Sequence, residues 1–256
     1  MNPIIKLFRK IALGYRSDQD SYVKYLKKIG VRIGEHIEIF TPANTFIDNV
    51  NPHLLEIGSN VSITGPATIL THDYSVCVTK KWTQGEILGC QKKTVIGDNV
   101  FLGWGACVLP GSIVGNNTII GAYSVVSGVV LADSVYAGNP AKRICSIEEY
   151  YNRRKSKQIE EAVNVYRNYV ETYHIEPTKE VFHEYFYLFM GANTDINQIP
   201  KVFEKKFYDH GNYKESRDAF MRNKPPFCSF DDFISFAKKQ TCQNANEDLN
   251  IREDVL

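Results

Sequence analysis

The chain has 256 residues, 43% of them hydrophobic, enough for one large domain or two ordinary ones. With 30 basic against 29 acidic side chains and a net charge of +1, it offers no general surface for nucleic acid. No apolar run nears the roughly 20 residues of a membrane-spanning helix, and the N-terminus lacks the apolar core and small-residue cleavage site of a secretory signal.

Residues 1–30 read as a mainly helical segment. Pro3 to Ile11 has the pattern of a short basic amphipathic helix, expected to pack over the first coil of the adjoining domain, with weak membrane-surface association as the alternative. The cysteines, Cys77, Cys90, Cys107, Cys145, Cys228 and Cys242, form no CxxC pair, which predicts reduced thiols and a cytoplasmic protein. A repeat begins at Ile33-Gly34, passes through Ile39, and recurs at Ile57-Gly58, Ile63 and Ile69. The spacing from Ile69 to Ile96 is not a multiple of six, so residues 73–94 must leave the repeat as a loop. Loops of that length inside a compact fold are usually functional.

From Ile96 onward the period is strict: Ile96, Leu102, Val108, Val114, Ile120, Val126 and Ala132 recur every sixth residue. Gly97, Gly103, Gly115 and Gly121 follow four of them, and Val100, Ala106, Ser112, Thr118, Ser124 and Val130 stand four residues later. A helix would space its apolar residues by three and four, and a strand by two. A period of six fits a solenoid whose stacked units bury a continuous inner column that no single unit could bury alone. Residues 31–145 form this mainly β domain.

Gly138 and Pro140 end the repeat. Ser146-Ile147-Glu148-Glu149 is a capping box. It opens a helix predicted to run to about Tyr173, with Tyr150, Ile159, Val163, Tyr166 and Val170 on its apolar face. Further helices are expected from Thr178 to about Met190 and from Ser229 to about Lys239, with a frayed tail after Thr241. Residues 146–256 thus form a helical region whose many Tyr and Phe side chains are expected to be core, some of them available to shape an acceptor pocket.

Of the histidines, His72 stands out, because it sits where the chain leaves the repeat for the loop. An imidazole, with an unperturbed pKa of about 6.5, suits general-base work near neutral pH. Position alone leaves a solvated surface histidine equally open.

Several runs narrow the choice: Leu54 to Val61, Thr71-His72, Gly85-Glu86, Ile96-Gly97-Asp98-Asn99-Val100 and Ala137-Gly138-Asn139-Pro140-Ala141-Lys142. Over residues 31–145 the chain resembles the hexapeptide-repeat acyltransferases, in particular the galactoside and maltose O-acetyltransferase branch. The C-terminal helices look like those appended to bacterial capsule and exopolysaccharide O-acetyltransferases. The resemblance implies a left-handed parallel β-helix, against the usual right-handed crossover, with an α-helical C-terminal extension. It also implies a homotrimer with sites between subunits.

The same resemblance implies direct acetyl transfer from acetyl-CoA to a hydroxyl of a sugar or polysaccharide precursor, with no metal and with His72 as base. Glu86 is the first candidate to orient the imidazole and Asp73 the second. Asp48 and Asn49 fall where the family contacts its acceptor. Trp104, Ala122 and Ser127 match its pantetheine contacts. Backbone N–H groups near Trp104, Gly105 and Ala106 are candidates for the oxyanion, and Lys142 and Arg143 for the nucleotide phosphates. Trp104 departs from the family's pattern, since relatives often carry a smaller residue there, and a large indole would narrow the groove or stack on the cofactor. Alternatives are N-acetylation of an amino sugar, acetylation of a xenobiotic, a zinc site of the γ-carbonic-anhydrase kind through His36, His53 and His72, and a non-catalytic scaffold.

Overall fold

Each six-residue step folds as two or three extended residues and a turn, and these strands stack into three sheets. The computed structural model describes residues 3–192, 194–195, 199–208 and 212–241. It divides into two units, Met1–Tyr151 and Asn152–Leu256.

In the first unit, one sheet joins strands Arg32–Ile33, Leu55–Ile57, Thr94–Ile96, Ile113–Val114 and Val129–Val130. A second joins Ile37–Ile39, Val61–Ile63, Val100–Leu102, Thr118–Ile120 and Ser134–Ala137. A third joins Phe46–Ile47, Thr68–Ile69, Cys107–Val108 and Val125–Val126. All of these pairings are parallel, and successive strands visit the sheets in rotation. A final strand, Lys142–Ser146, turns back antiparallel on Ser134–Ala137, a hairpin the repeat pattern does not announce.

The regular rounds pair residues three hexapeptides apart, Val95 with Ile113, Val100 with Thr118 and Cys107 with Val125. Ile57, Ile63, Ile69, Ile96, Leu102, Val108, Val114, Ile120 and Val126 are all buried inside. Each contributes about 1.5–3 kcal/mol on leaving water. The residues four further on, Val100 through Val130, are buried as well. Gly103 shows why glycine follows the inward residue: a Cβ there would lie 2.6 Å from the Ala122 nitrogen of the next round.

Ala132, expected inside, is exposed. The last round is two residues shorter than the regular 18-residue rounds, pairing Val114 with Val130 and Thr118 with Ser134, so Val130 takes the inward place early.

Ahead of the strands lie α1 (Pro3–Leu13) and α2 (Gln19–Ile29). Asp18 caps α2 by accepting from the Ser21 amide at 2.8 Å. Tyr22 and Leu26 of α2 join the core of the first strands. α2 therefore covers that end of the core, whereas Leu7, Phe8 and Ile11 of α1 stay exposed. The expectation that Pro3 to Ile11 does the covering is corrected.

The 73–94 excursion carries a short helix, α3 (Val76–Trp82), before the chain re-enters at Thr94. Its base is pinned by Asp73 N–H to the Cys90 carbonyl at 3.0 Å and Lys92 N–H to the Thr71 carbonyl at 2.9 Å.

The second unit has a different core. The capping box forms at the end of the first unit, with Glu149 N–H donating to Ser146 Oγ at 3.0 Å and Ser146 N–H to Glu149 Oε2 at 2.6 Å. The helix it opens breaks at Lys157 into α4 (Ile147–Ser156) and α5 (Gln158–Tyr173). The helix expected over Thr178 to Met190 is instead two short 3₁₀ turns, Lys179–Phe182 and Phe186–Leu188. Phe182, Phe186, Leu188 and Phe189 are all buried, and one helix cannot turn Leu188 to the same side as the other three. α6 (Lys201–Tyr208), α7 (Tyr213–Arg222) and α8 (residues 230–241) complete the unit. They pack around Phe182, Phe203 and Phe233, with Phe186 stacked on Phe203 at 4.8 Å. The tail after Thr241, with Cys242, lies outside the described residues.

Candidate active site

Two neighbouring strands of the third sheet build the site. Phe46–Ile47 pairs with Thr68–Ile69, and the ladder continues past both ends, Asp48 N–H donating to the Ile69 carbonyl at 2.9 Å. Each strand then gives up its alternation at the sheet edge. Asp48 ends one strand, and Thr71 and His72 end the other, so three polar side chains meet where the excursion begins.

Asp48 is fully buried, and every one of its hydrogen-bond partners is a donor. Its Oδ1 accepts the Val50 amide at 2.9 Å. Its Oδ2 accepts the Thr71 amide at 2.8 Å, the Thr71 hydroxyl at 2.6 Å and His72 Nδ1 at 2.5 Å. Burial pushes the carboxyl's pKa up, but the Thr71 hydroxyl, the two amides and the imidazole outweigh it and hold the pKa below the usual aspartate value. An ionised carboxylate can only accept, so Nδ1 carries the proton, and the tautomer this selects has its lone pair on Nε2. Nε2 makes no hydrogen bond among the described residues. The imidazole is 13% exposed and lines a cavity of about 230 Å³ with Tyr74, Leu88, Cys90 and Gln91. The Tyr74 ring meets it edge-on at 4.6 Å.

This arrangement corrects several expectations. Asp48 is no acceptor contact: it is sealed from the cavity, and both of its oxygens are engaged. Asn49 is half-buried and donates to the Tyr25 hydroxyl at 3.3 Å. Glu86 is exposed and makes no hydrogen bond or ion pair among the described residues. Asp73 accepts the Ser75 amide and hydroxyl, each at 2.8 Å, and turns the start of the excursion rather than the imidazole. The Ser75 amide chiefly holds the Asp73 carboxyl below its usual pKa. Sequence reasoning also missed Thr71 and Tyr74. Asp48 follows Ile47, which pairs with Ile69, 22 residues on, so the early rounds do not keep the 18-residue spacing that would have aligned Asp48 with Thr71 and His72.

Trp104 and Ala122 stand at matching turns of adjacent rounds, as their spacing implies, since Leu102 pairs with Ile120 just before them. Trp104 is 46% exposed, and Ala122 and Ser127 are exposed. Ala106 is fully buried and its N–H donates to the Gly103 carbonyl at 3.0 Å, which removes it from the donor set. The N–H groups of Trp104 and Gly105 remain unpaired among the described residues. Lys142 and Arg143 are exposed on the last strand, without an ion pair among the described residues. No three His, Cys, Asp or Glu side chains converge as a metal set among the described residues, and His36, His53 and His72 are not brought together.

Known proteins share the repeat. The family description "Bacterial transferase hexapeptide (six repeats)" matches residues 93–128. Protein CapG of Staphylococcus aureus is 37% identical over 125 residues, 49% of this chain and 71% of CapG. WbbJ of Escherichia coli (strain K12), by name a lipopolysaccharide biosynthesis O-acetyl transferase, is 52% identical over 50 residues, 20% of this chain and only 26% of WbbJ. The galactoside O-acetyltransferase of Lactococcus lactis is 29% identical over 140 residues, 47% of this chain and 65% of that enzyme.

Proposed function

For a chain that belongs to the bacterial hexapeptide-repeat transferases, we propose acetyl transfer from acetyl-CoA to a hydroxyl of a sugar or polysaccharide precursor. The observation that carries this reading is the buried Asp48 carboxylate on Nδ1 of His72, which leaves Nε2 to act as the base on an imidazole that lines the cavity. The hydroxyl acceptor class draws support from the names of WbbJ and the galactoside O-acetyltransferase.

In this mechanism His72 Nε2 removes the proton of the acceptor hydroxyl as its oxygen attacks the thioester carbonyl. A hydroxyl is a poor nucleophile until a positioned base takes its proton. Asp48 holds the tautomer and stabilises the imidazolium that forms, without itself taking the proton, and Thr71 keeps Asp48 ionised by donating to it. The tetrahedral intermediate needs a donor for its oxyanion, a role the unpaired N–H groups of Trp104 or Gly105 can fill. Collapse expels the CoA thiolate, and the proton on Nε2 goes to that leaving group. Lys142 and Arg143 offer charge for the nucleotide phosphates, and the Trp104–Ala122–Ser127 line offers a track for the pantetheine arm.

In the same reading the rotating strands close as a left-handed β-helix, and three copies associate with their sites between subunits in the cytoplasm. Outward-facing Ile113 and Val129, paired on successive rounds of the first sheet, give such a contact apolar surface. The test is acetyl transfer from acetyl-CoA to matched panels of sugars and amino sugars. Transfer to hydroxyls that fails in His72→Ala supports the proposal. Transfer to amines alone, or full transfer by His72→Ala, contradicts it.

A further inference from the structure

The first helix has an apolar side that none of the described residues covers. Leu7, Phe8 and Ile11 share one face at helical spacing and are 61%, 68% and 73% exposed. Arg9 and Lys10 fall on the other side of the same turns. The cover of the first strands comes from α2, through Tyr22 and Leu26, so α1 is not needed there. The junction after α1 is tied down, with Tyr15 stacked on Tyr25 of α2 at 3.7 Å. From Met1 to Ser17 the chain carries Lys6, Arg9, Lys10 and Arg16 and no acidic residue, the first being Asp18.

These features select the occupant. A second copy laid face to face on this helix would bring two basic segments together, like against like, and the nearest acidic group in sequence, Asp18, is taken up in capping α2. An anionic lipid surface supplies both the apolar layer and the missing negative charge. The helix has 11 residues and is about 16 Å long, too short to cross a bilayer and long enough to lie in its interface.

We propose that α1 docks this protein on an anionic membrane surface, with Leu7, Phe8 and Ile11 at the acyl boundary and Arg9 and Lys10 reaching the headgroups. The basic stems snorkel from the polar side, as long cationic side chains do at such interfaces. The docking is separate from the transfer chemistry and stands or falls without it.

The experiment is co-sedimentation of the full-length protein, any tag placed at its C-terminus, with two kinds of vesicle. One is phosphatidylcholine alone, and the other contains about a third phosphatidylglycerol. The expected result is binding about tenfold stronger to the anionic vesicles, weakening as salt is raised. Leu7→Glu with Phe8→Glu abolishes it. Arg9→Gln with Lys10→Gln, which leaves the apolar face intact, weakens it severalfold toward the neutral-vesicle level. The mass of the protein in solution stays the same in both variants. Absence of binding, or binding indifferent to headgroup charge, overturns the proposal. So does a change of oligomeric mass in the Leu7→Glu, Phe8→Glu variant, which would assign the face to a second copy.

Discussion

The two units bury apolar side chains by opposite strategies. In the strand unit, an aliphatic residue recurs at one station of every six-residue step, and each meets an equivalent residue above and below, as Leu102 meets Ile63 and Ile120. In the helical unit, large rings fill one irregular centre, where Phe182, Phe186, Phe189 and Phe233 meet their neighbours at angles from stacked to edge-on. The first strategy makes a rigid ladder in which a side chain's place follows from its number. The second makes a core whose shape depends on every ring at once. The candidate chemistry sits on the ladder, where Asp48 and His72 inherit their geometry from paired strands, and a positioned base needs that rigidity.

The sharpest contrast comes from mutations in each region. His72→Ala should lower acetyl transfer by about 10²–10⁴-fold and cost about 1–3 kcal/mol of stability, because it takes one donor from the buried Asp48 carboxylate. Activity and melting measured on the same preparation check this. Phe233→Ala should cost about 3–5 kcal/mol, read as a lower denaturant midpoint, because it empties the centre of the ring cluster. Gly103→Ala should cost about 1–3 kcal/mol by forcing a methyl against the next round, although it adds only one carbon. If it costs nothing in denaturant unfolding, the rounds are not as closely stacked as the ladder requires.

Asp48 also makes stability depend on pH. Its folded pKa lies below the unfolded value, so the stability it adds is fully present above the ordinary carboxylate range. It is lost as pH falls through the folded value. The melting-temperature gap between the wild type and Asp48→Asn should therefore be widest near neutrality and narrow in acid. Smallest of all, Glu86→Gln should change transfer by no more than about twofold, as an exposed substitution does, and a steady-state assay would detect more.

The legibility of the two units differs for the same physical reason. A strict period of six places Ile96 through Val126 inside without knowledge of any contact. It fails at Ala132 because one round closes two residues early, a deletion the period cannot foresee. His72 was legible as the residue at the exit from the ladder. Its partner was not, since Asp48 lies 24 residues earlier and meets it through strand register rather than sequence spacing. Glu86 and Asp73 were nearer in the excursion or in sequence, and neither holds the imidazole. In the helical unit the apolar spacing at Phe182, Phe186 and Phe189 reads as a helix. The need to bury Leu188 as well breaks it into turns.

The dyad itself is tested most directly by a double-mutant cycle of acetyl transfer in the wild type, His72→Ala, Asp48→Asn and the double variant. Residues that act as one unit lose their effect together, so the double variant should be no slower than His72→Ala alone, with Asp48→Asn already down by about 10²-fold or more. Independent losses that multiply, or an Asp48→Asn enzyme within a few-fold of the wild type, would contradict a base held in place by the buried carboxylate.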